Sequence, residues 1–243
     1  MEKEKEALKK ISVKLIIFQS VLILILLISL IFLIIFNNKN NFSANDIFNK
    51  NIASVVELKA FDDEETVSYG SAVAIEDNLL ITNAHVLSYK KNLVLKNFDN
   101  VQIRLATEIE YISATIKKID YELDLAILKI DSNNLNPIKT YNKKIVTGEK
   151  IYAMGNAQNY GISIMEGIVA KNEAIVQADG KTVTAIQCDI NITEGNSGGA
   201  LLNKNGQLVG ITTFRLKDSK NNVVYGISFA IPIGTINNFI NNN

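Results

Sequence analysis

Two patterns of apolar residues divide this sequence. From Leu15 to Phe36 nearly every position is apolar, with only Gln19, Ser20 and Ser29 intervening. At about 1.5 Å per residue a helix over these 22 residues is about 33 Å long. That is enough to cross a hydrocarbon core of roughly 30 Å. Residues 37 to about 44 are polar and read as a linker. Asn45–Lys50 reads as a short helix capped by Ser43 or Asn45. From Ser54 onward the pattern changes to short runs rich in β-branched residues. Strands are expected at 54–61, 66–75, 79–83, 92–96, 101–105, 111–119 and 125–130. After a loop near Asn133–Asn142 more follow at 150–154, 162–171, 174–178, 182–188, 200–203, 207–214 and 223–231. Regularly spaced short strands of this kind predict an all-β sandwich or barrel. Residues 233–242 read as a closing helix.

Composition narrows the class. Of 243 residues, 47% are hydrophobic, a figure raised by the apolar run near the N-terminus. Formal charge is zero and the pI is near 6.6, which gives no electrostatic reason to expect nucleic acid or another polyanion as a partner. Cys188 is the only cysteine, so no internal disulfide can form. A disulfide-free domain carried beyond a membrane suggests a bacterial protein. Cys188 sits in a strand pattern and reads as a small core residue rather than a reactive thiol.

Three segments carry candidate chemistry. In Glu194-Gly195-Asn196-Ser197-Gly198-Gly199-Ala200-Leu201-Leu202, glycines flank one serine. Gly195 permits a backbone conformation closed to residues with a Cβ, so that amide N–H groups can converge on a developing oxyanion. The plainer reading is a glycine-rich turn between strands. His85, the single histidine, stands in Leu80-Ile81-Thr82-Asn83-Ala84-His85-Val86-Leu87. A lone histidine in an apolar segment is more often structural, but a catalytic triad needs only one imidazole. One histidine and one cysteine also leave no ordinary zinc site, and neither a metal nor another cofactor is expected. Asp124 precedes the alternating run Leu125–Ile130. A carboxylate among apolar strand residues is costly without a partner, and an imidazole Nδ1–H would serve.

The order His85, Asp124, Ser197 is the chymotrypsin order, not that of subtilisins or α/β-hydrolases. Thr82-Asn83-Ala84-His85-Val86, Asp124-Leu125-Ala126-Ile127-Leu128 and Gly195-Asn196-Ser197-Gly198-Gly199-Ala200-Leu201 together resemble the three catalytic blocks of HtrA/Deg-type trypsin-like serine proteases. Asn205–Ile211, Gly226–Pro232, Met154-Gly155-Asn156 and Glu166–Val169 resemble other blocks of that family, so the likeness runs from about Ile47 to Ile240. It implies two six-stranded antiparallel barrels of the chymotrypsin type split near residue 140, with His85 and Asp124 in the first, Ser197 in the second and the site between them. It implies an oxyanion hole from the backbone of Gly195, Asn196 and Ser197. It places Thr212, Thr213 and Phe214 along the cleft beside an extended substrate, Asn191 at the floor of the specificity pocket and Ile227 narrowing it. An uncharged floor suits a small or medium uncharged side chain before the scissile bond. Ala72 departs from the family's usual glycine, and the segment Asp62–Thr66 is short. The sequence stops at Asn243, and no PDZ domain of the kind common in the family is expected.

The apolar run is expected to stay as an uncleaved anchor. It is longer than a signal-peptide core, and Asn37-Asn38-Lys39-Asn40-Asn41 and Phe42 give no small-x-small cleavage site. Lys3, Lys5, Lys9, Lys10 and Lys14 precede it, whereas the nearest following cations are Lys39 and Lys50. This lysine excess places residues 1–14 in the cytoplasm and residues 45–243 outside, on a single-pass bacterial membrane protein. Seven linker residues reach at most about 25 Å, so the protease is expected to work near the bilayer. The expected function is a membrane-anchored serine endopeptidase acting on unfolded or exposed polypeptide segments through an acyl-enzyme, as in protein quality control. The alternative is a noncatalytic or latent protease-like module that binds polypeptides. Homo-oligomerisation stays open.

Overall fold

The computed structural model describes residues 1–38, 42–62, 66–132, 135–178, 181–217 and 223–242. The chain divides into two compact units, Met1–Asn41 and Phe42–Asn243. The first holds helix α1, Glu2–Asn38. Within it Val13–Leu33 is a 21-residue window of mean hydropathy 3.0 with no buried side chain. That helix is long and apolar enough to cross a membrane or to serve as a signal segment. Part of the expected linker, 39–41, lies outside the described residues.

The second unit opens with helix α2, Ala44–Asn51. Of the two expected caps, the structure uses Ser43. Its hydroxyl accepts from the Asp46 N–H at 3.2 Å, and Asp46 Oδ2 accepts from the Ser43 N–H at 2.9 Å. The two bonds satisfy reciprocal orphan donors at the helix start.

Strands β1 Val55–Phe61, β2 Val67–Glu76 and β3 Leu79–Thr82 come next, followed by β4 Ser88–Lys91, β5 Val94–Asn97, β6 Asn100–Leu105, β7 Ile112–Asp120 and β8 Leu125–Lys129. Then come β9 Lys150–Asn156, β10 Ile162–Ala178, β11 Lys181–Cys188, β12 Ala200–Asn203, β13 Leu208–Lys217 and β14 Val223–Pro232, closed by helix α3 Ile233–Asn241. Two closed antiparallel barrels result, ordered β1-β2-β3-β8-β7-β6 and β10-β11-β14-β13-β12-β9. This is the expected pair of six-stranded barrels.

Alternation along β1 shows why the strands read as apolar on both faces. Val56, Leu58 and Ala60 point into the first barrel with Ile103, Ala126 and Leu128. Val55 points the other way, into a core shared with Tyr152, Met154 and Ile211 of the second barrel and with Ile236 and Phe239 of α3. Cys188 fills the second barrel's interior with Ile151, Val169 and Leu201. The crossing segment is pinned to both barrels: Ile138 N–H donates to Ala74 O at 2.9 Å and Tyr141 N–H to Leu208 O at 2.9 Å.

Two expectations differ from the structure. The run at 92–96 lies outside the barrel as β5, paired with β4 in a two-stranded hairpin. Its turn uses Asn92 and Leu93 at positive φ. The strands expected at 162–171 and 174–178 are one strand, β10. Its register against β11 shifts between Val169 and Ala174, so bulges keep it continuous where the alternation breaks.

Candidate active site

His85 lies in a single 3-10 turn, Ala84–Leu87, that leaves β3 at Asn83. Asp124 immediately precedes β8, which pairs with β3, so adjacent strand ends bring them together. His85 Nδ1 is 2.8 Å from Asp124 Oδ2 and 3.0 Å from Oδ1, and the His85 backbone N–H donates to Oδ1 at 2.9 Å. Thr213 Oγ1 donates to Oδ2 at 2.8 Å. Asn83 Nδ2 donates to the Asp124 carbonyl at 2.9 Å. Asp124 itself has φ +54°, an uncommon conformation for a residue with a Cβ that aspartate tolerates better than most. A carboxylate held by this many donors fixes the face it presents to the imidazole and leaves Nε2 on the far side of the ring.

Ser197 arrives from the other barrel, in the turn between β11 and β12. Its hydroxyl donates to Thr213 O at 2.9 Å, so one residue of β13 touches both Asp124 and Ser197. Thr212, next to it, is buried and turned inward. Its hydroxyl donates to Asn196 O at 2.6 Å and Gly199 O at 3.2 Å. Gly195 takes φ +87°, and a Cβ there would stand 2.0 Å from Asn156 O. Gly198 takes φ +83°, and a Cβ there would stand 2.1 Å from Ser71 O. Both positions therefore demand glycine on two grounds, conformation and space. Among the described residues, the N–H groups of Gly195 and Ser197 have no protein acceptor. Asn196, expected to lend its backbone to the hole, offers no donor there: its N–H donates to Thr193 O at 3.1 Å, and its side chain donates to Thr193 Oγ1 at 3.1 Å.

Residues 190–193, which lead into that turn, line a small pocket with residues 224–227. Asn191, expected at the floor, is an exposed member of the lining, and its Oδ1 accepts from the Gly226 N–H at 2.8 Å. Ile227 is half-buried against Ala174, Ala185 and Phe229. The pocket lining carries no charged side chain. Thr213 and Phe214 fall where β13 slips against β14: Thr212 pairs with Ala230, but Arg215 pairs with Ser228. The bulge takes their backbone out of the ladder. The side chain of Phe214 lies outside what is described.

The structure adds residues that the sequence did not single out for the site. Ser71 donates to Gly195 O in the turn that carries Ser197, Asn83 donates to the Asp124 carbonyl, and the Asn156 N–H donates to Ser71 Oγ. Asn83 could have been suspected from its place two residues before His85; Asn156 lies in a block that resembles the family, but nothing local ties it to Ser71, 85 positions away. Burial pushes the Cys188 thiol up to about 12, in keeping with a core residue. Among the described residues no group of three or more His, Cys, Asp or Glu could hold a metal ion.

A family model described as a trypsin-like peptidase domain matches residues 70–211. Serine protease HTR4 of Bos taurus is 33% identical over 217 residues, which cover 84% of this chain and 41% of that one. Serine endoprotease DegS of Haemophilus influenzae is 31% identical over 224 residues, covering 84% of this chain and 63% of that one. The chain thus spans about half the length of the curated relatives it matches. Among solved structures, an HtrA-type protease, AlgW, with a tripeptide superposes with a TM-score of 0.69 at 29% identity, covering 82% of this chain and 64% of that one.

Proposed function

Because the chain belongs to the trypsin-like serine proteases of the HtrA/Deg type, we propose that it is a serine endopeptidase in which Ser197 is the nucleophile, His85 the general base and Asp124 the residue that orients the imidazole. The observation that carries this reading is the Asp124 carboxylate, held 2.8 Å from His85 Nδ1 and 2.8 Å from Thr213 Oγ1, on the same residue whose carbonyl takes the Ser197 hydroxyl.

The chemistry follows from those positions. A rotation about the Ser197 Cα–Cβ bond turns the hydroxyl from Thr213 O to His85 Nε2. Oγ attacks the scissile carbonyl carbon as Nε2 takes the proton, and Asp124 stabilises the imidazolium. The carbonyl oxygen becomes an oxyanion, which the N–H groups of Gly195 and Ser197 receive. Collapse returns the proton from His85 to the leaving amine and leaves an acyl-enzyme. Water then repeats the cycle and frees Ser197. No step needs a metal or an organic cofactor.

The substrate is an extended polypeptide, unfolded or exposed. The backbone at Thr213–Phe214, where the register of β13 against β14 shifts, is the edge such a strand pairs with. The pocket between Asn191 and Ile227 takes a small or medium uncharged side chain. Its uncharged lining, with the Asn191 amide oxygen bonded to the Gly226 N–H, supports that choice. We place the helix Val13–Leu33 across the cytoplasmic membrane of a bacterium as a single-pass anchor. The N-terminus is inside, in accord with the lysines before Leu15.

The test uses the full chain in detergent with unfolded casein as substrate. Cleavage that survives EDTA, vanishes in Ser197→Ala and stops with a fluorophosphonate adduct on Ser197 supports the endopeptidase. Casein binding without cleavage or labelling makes the protein a polypeptide-binding module instead.

A further inference from the structure

Glu57 stands in the middle of β1, only 4% exposed, and the mechanism above makes no use of it. A buried carboxylate is expensive, and apolar replacements of buried ion pairs are often no less stable, so its contacts matter more than its charge. Oε2 accepts from Arg104 Nη2 at 2.8 Å and from Asn156 Nδ2 at 3.2 Å. Arg104 comes from the same barrel as Glu57, and Asn156 from the other.

From Asn156 two routes reach the nucleophile turn. The Asn156 backbone N–H donates to Ser71 Oγ at 2.8 Å, and Ser71 Oγ donates to Gly195 O at 2.7 Å. The Asn156 side chain closes the turn that follows it. Oδ1 accepts from the Gly161 N–H at 2.9 Å, and Nδ2 also reaches Asn159 Oδ1 at 3.2 Å. Within that turn Gln158 and Asn159 sit at φ +54° and +60°, a conformation that surrounding contacts must enforce. Gln158 N–H donates to Glu194 O at 2.8 Å.

In a planar trans peptide the C=O and N–H point in opposite directions. A tie on Glu194 O therefore aims the Gly195 N–H away from Gln158. The tie on Gly195 O fixes the next peptide, whose N–H donates to Thr193 O at 3.1 Å. The two peptides that shape the anion cradle are each held by their carbonyl, and both ties lead back to Asn156 and Glu57.

We propose that Glu57, Asn156 and Ser71 are positioning residues that hold the Glu194–Gly195 peptide in the oxyanion-binding orientation, with the neighbouring Gly195–Asn196 peptide fixed as its support. The inference rests on the reading of Ser197 as nucleophile. Loss of the network lets the Glu194–Gly195 peptide turn over and removes one of two donors. Removing one such donor elsewhere costs about 100-fold or more in kcat.

The experiment compares the full chain with Ser71→Ala, Asn156→Asp and the exchange Glu57→Gln/Asn156→Asp. Asn156→Asp sets two carboxylates against each other, whereas the exchange restores one amide facing one carboxylate beside Arg104. We expect kcat on a peptide to fall about 100-fold in Asn156→Asp with KM changed less than about threefold. Ser71→Ala should lower kcat in the same manner, and the exchange should recover at least about tenfold. Amide hydrogen exchange at Gln158 and Asn196 should speed up in Asn156→Asp and slow again in the exchange variant. Variants that melt like the unaltered chain and keep its kcat and its exchange at these amides overturn the inference. So does an exchange variant no better than Asn156→Asp. Should Asn156→Asp not fold, Ser71→Ala decides by the same two measurements. If the unaltered chain neither cleaves nor takes up a fluorophosphonate while the amides still respond, the nucleophile reading fails and the network stands.

Discussion

Thr213 is the residue on which the proposed site turns. Its side chain donates to Asp124 and its carbonyl receives the Ser197 hydroxyl, so it joins groups from the two barrels. Hydrogen bonds to charged groups contribute about 1.5–3 kcal/mol, so Thr213→Val should lower kcat about tenfold or more through a less well-held Asp124. Steady-state kinetics with KM as the control checks this. Ser197→Ala and His85→Ala should each cost several orders of magnitude in kcat, and the double variant little more, because such groups act as one unit. Additive losses in a double-mutant cycle would sink the triad. Cys188 behaves in the opposite way. With its thiol pushed up to about 12 by burial, almost no thiolate exists at pH 8. Iodoacetamide should leave the native protein unmodified and alkylate Cys188 in urea, read by mass spectrometry. At this scale the sequence is legible where a candidate sits in a local motif, as at His85, Asp124 and Ser197, which the structure gathers around Thr213 and Asp124. It was silent on Ser71, Asn156 and Glu57, whose contacts join positions 85 to 124 residues apart and leave no spacing to read.

Among elements, boundaries followed the alternation closely wherever one face meets a barrel interior. Strand β1 was expected at 54–61 and runs Val55–Phe61. The failures fall where that constraint is absent. All four residues of β5 are exposed, so no core side fixed its partner and β4 went unseen. Strand β10 changes register at bulges, and a period-two reading splits it. The sequence predicts helix α2, but leaves its cap open between Ser43 and Asn45 because both residue types suit that role. Asp46 decides, as the third residue of a reciprocal pair. Ser43→Ala should destabilise the second unit by about 1 kcal/mol. That corresponds to about 2–4 °C in Tm, measured by calorimetry. An unchanged Tm would mean that α2 frays without consequence for the barrels.

For the whole molecule, strand spacing narrows the fold to a sandwich or barrel, and the pair of barrels is legible through family blocks that recur along nearly the whole second unit. The membrane assignment rests on different physics: a bare apolar helix and a lysine asymmetry. External protease added to wall-stripped cells should therefore digest the second unit and leave a membrane-protected fragment containing Val13–Leu33. Full protection of the chain, or a soluble product beginning near Asn45, would overturn the anchored, outward-facing arrangement.

The division of the site between barrels also bears on biosynthesis. Asp124 finds Thr213 across 89 positions, and β13 is not locked until β14 pairs with it and with β11. At roughly 5–20 residues per second, His85 and Asp124 leave the ribosome on the order of ten seconds before that last strand exists. For most of that interval the turn that carries Ser197 has not been made, and when it emerges β14 is still missing, so the candidate nucleophile and base have not met. The order of synthesis thus keeps the candidate residues apart until the end, and a chain truncated before Val223 should leave unfolded casein uncut.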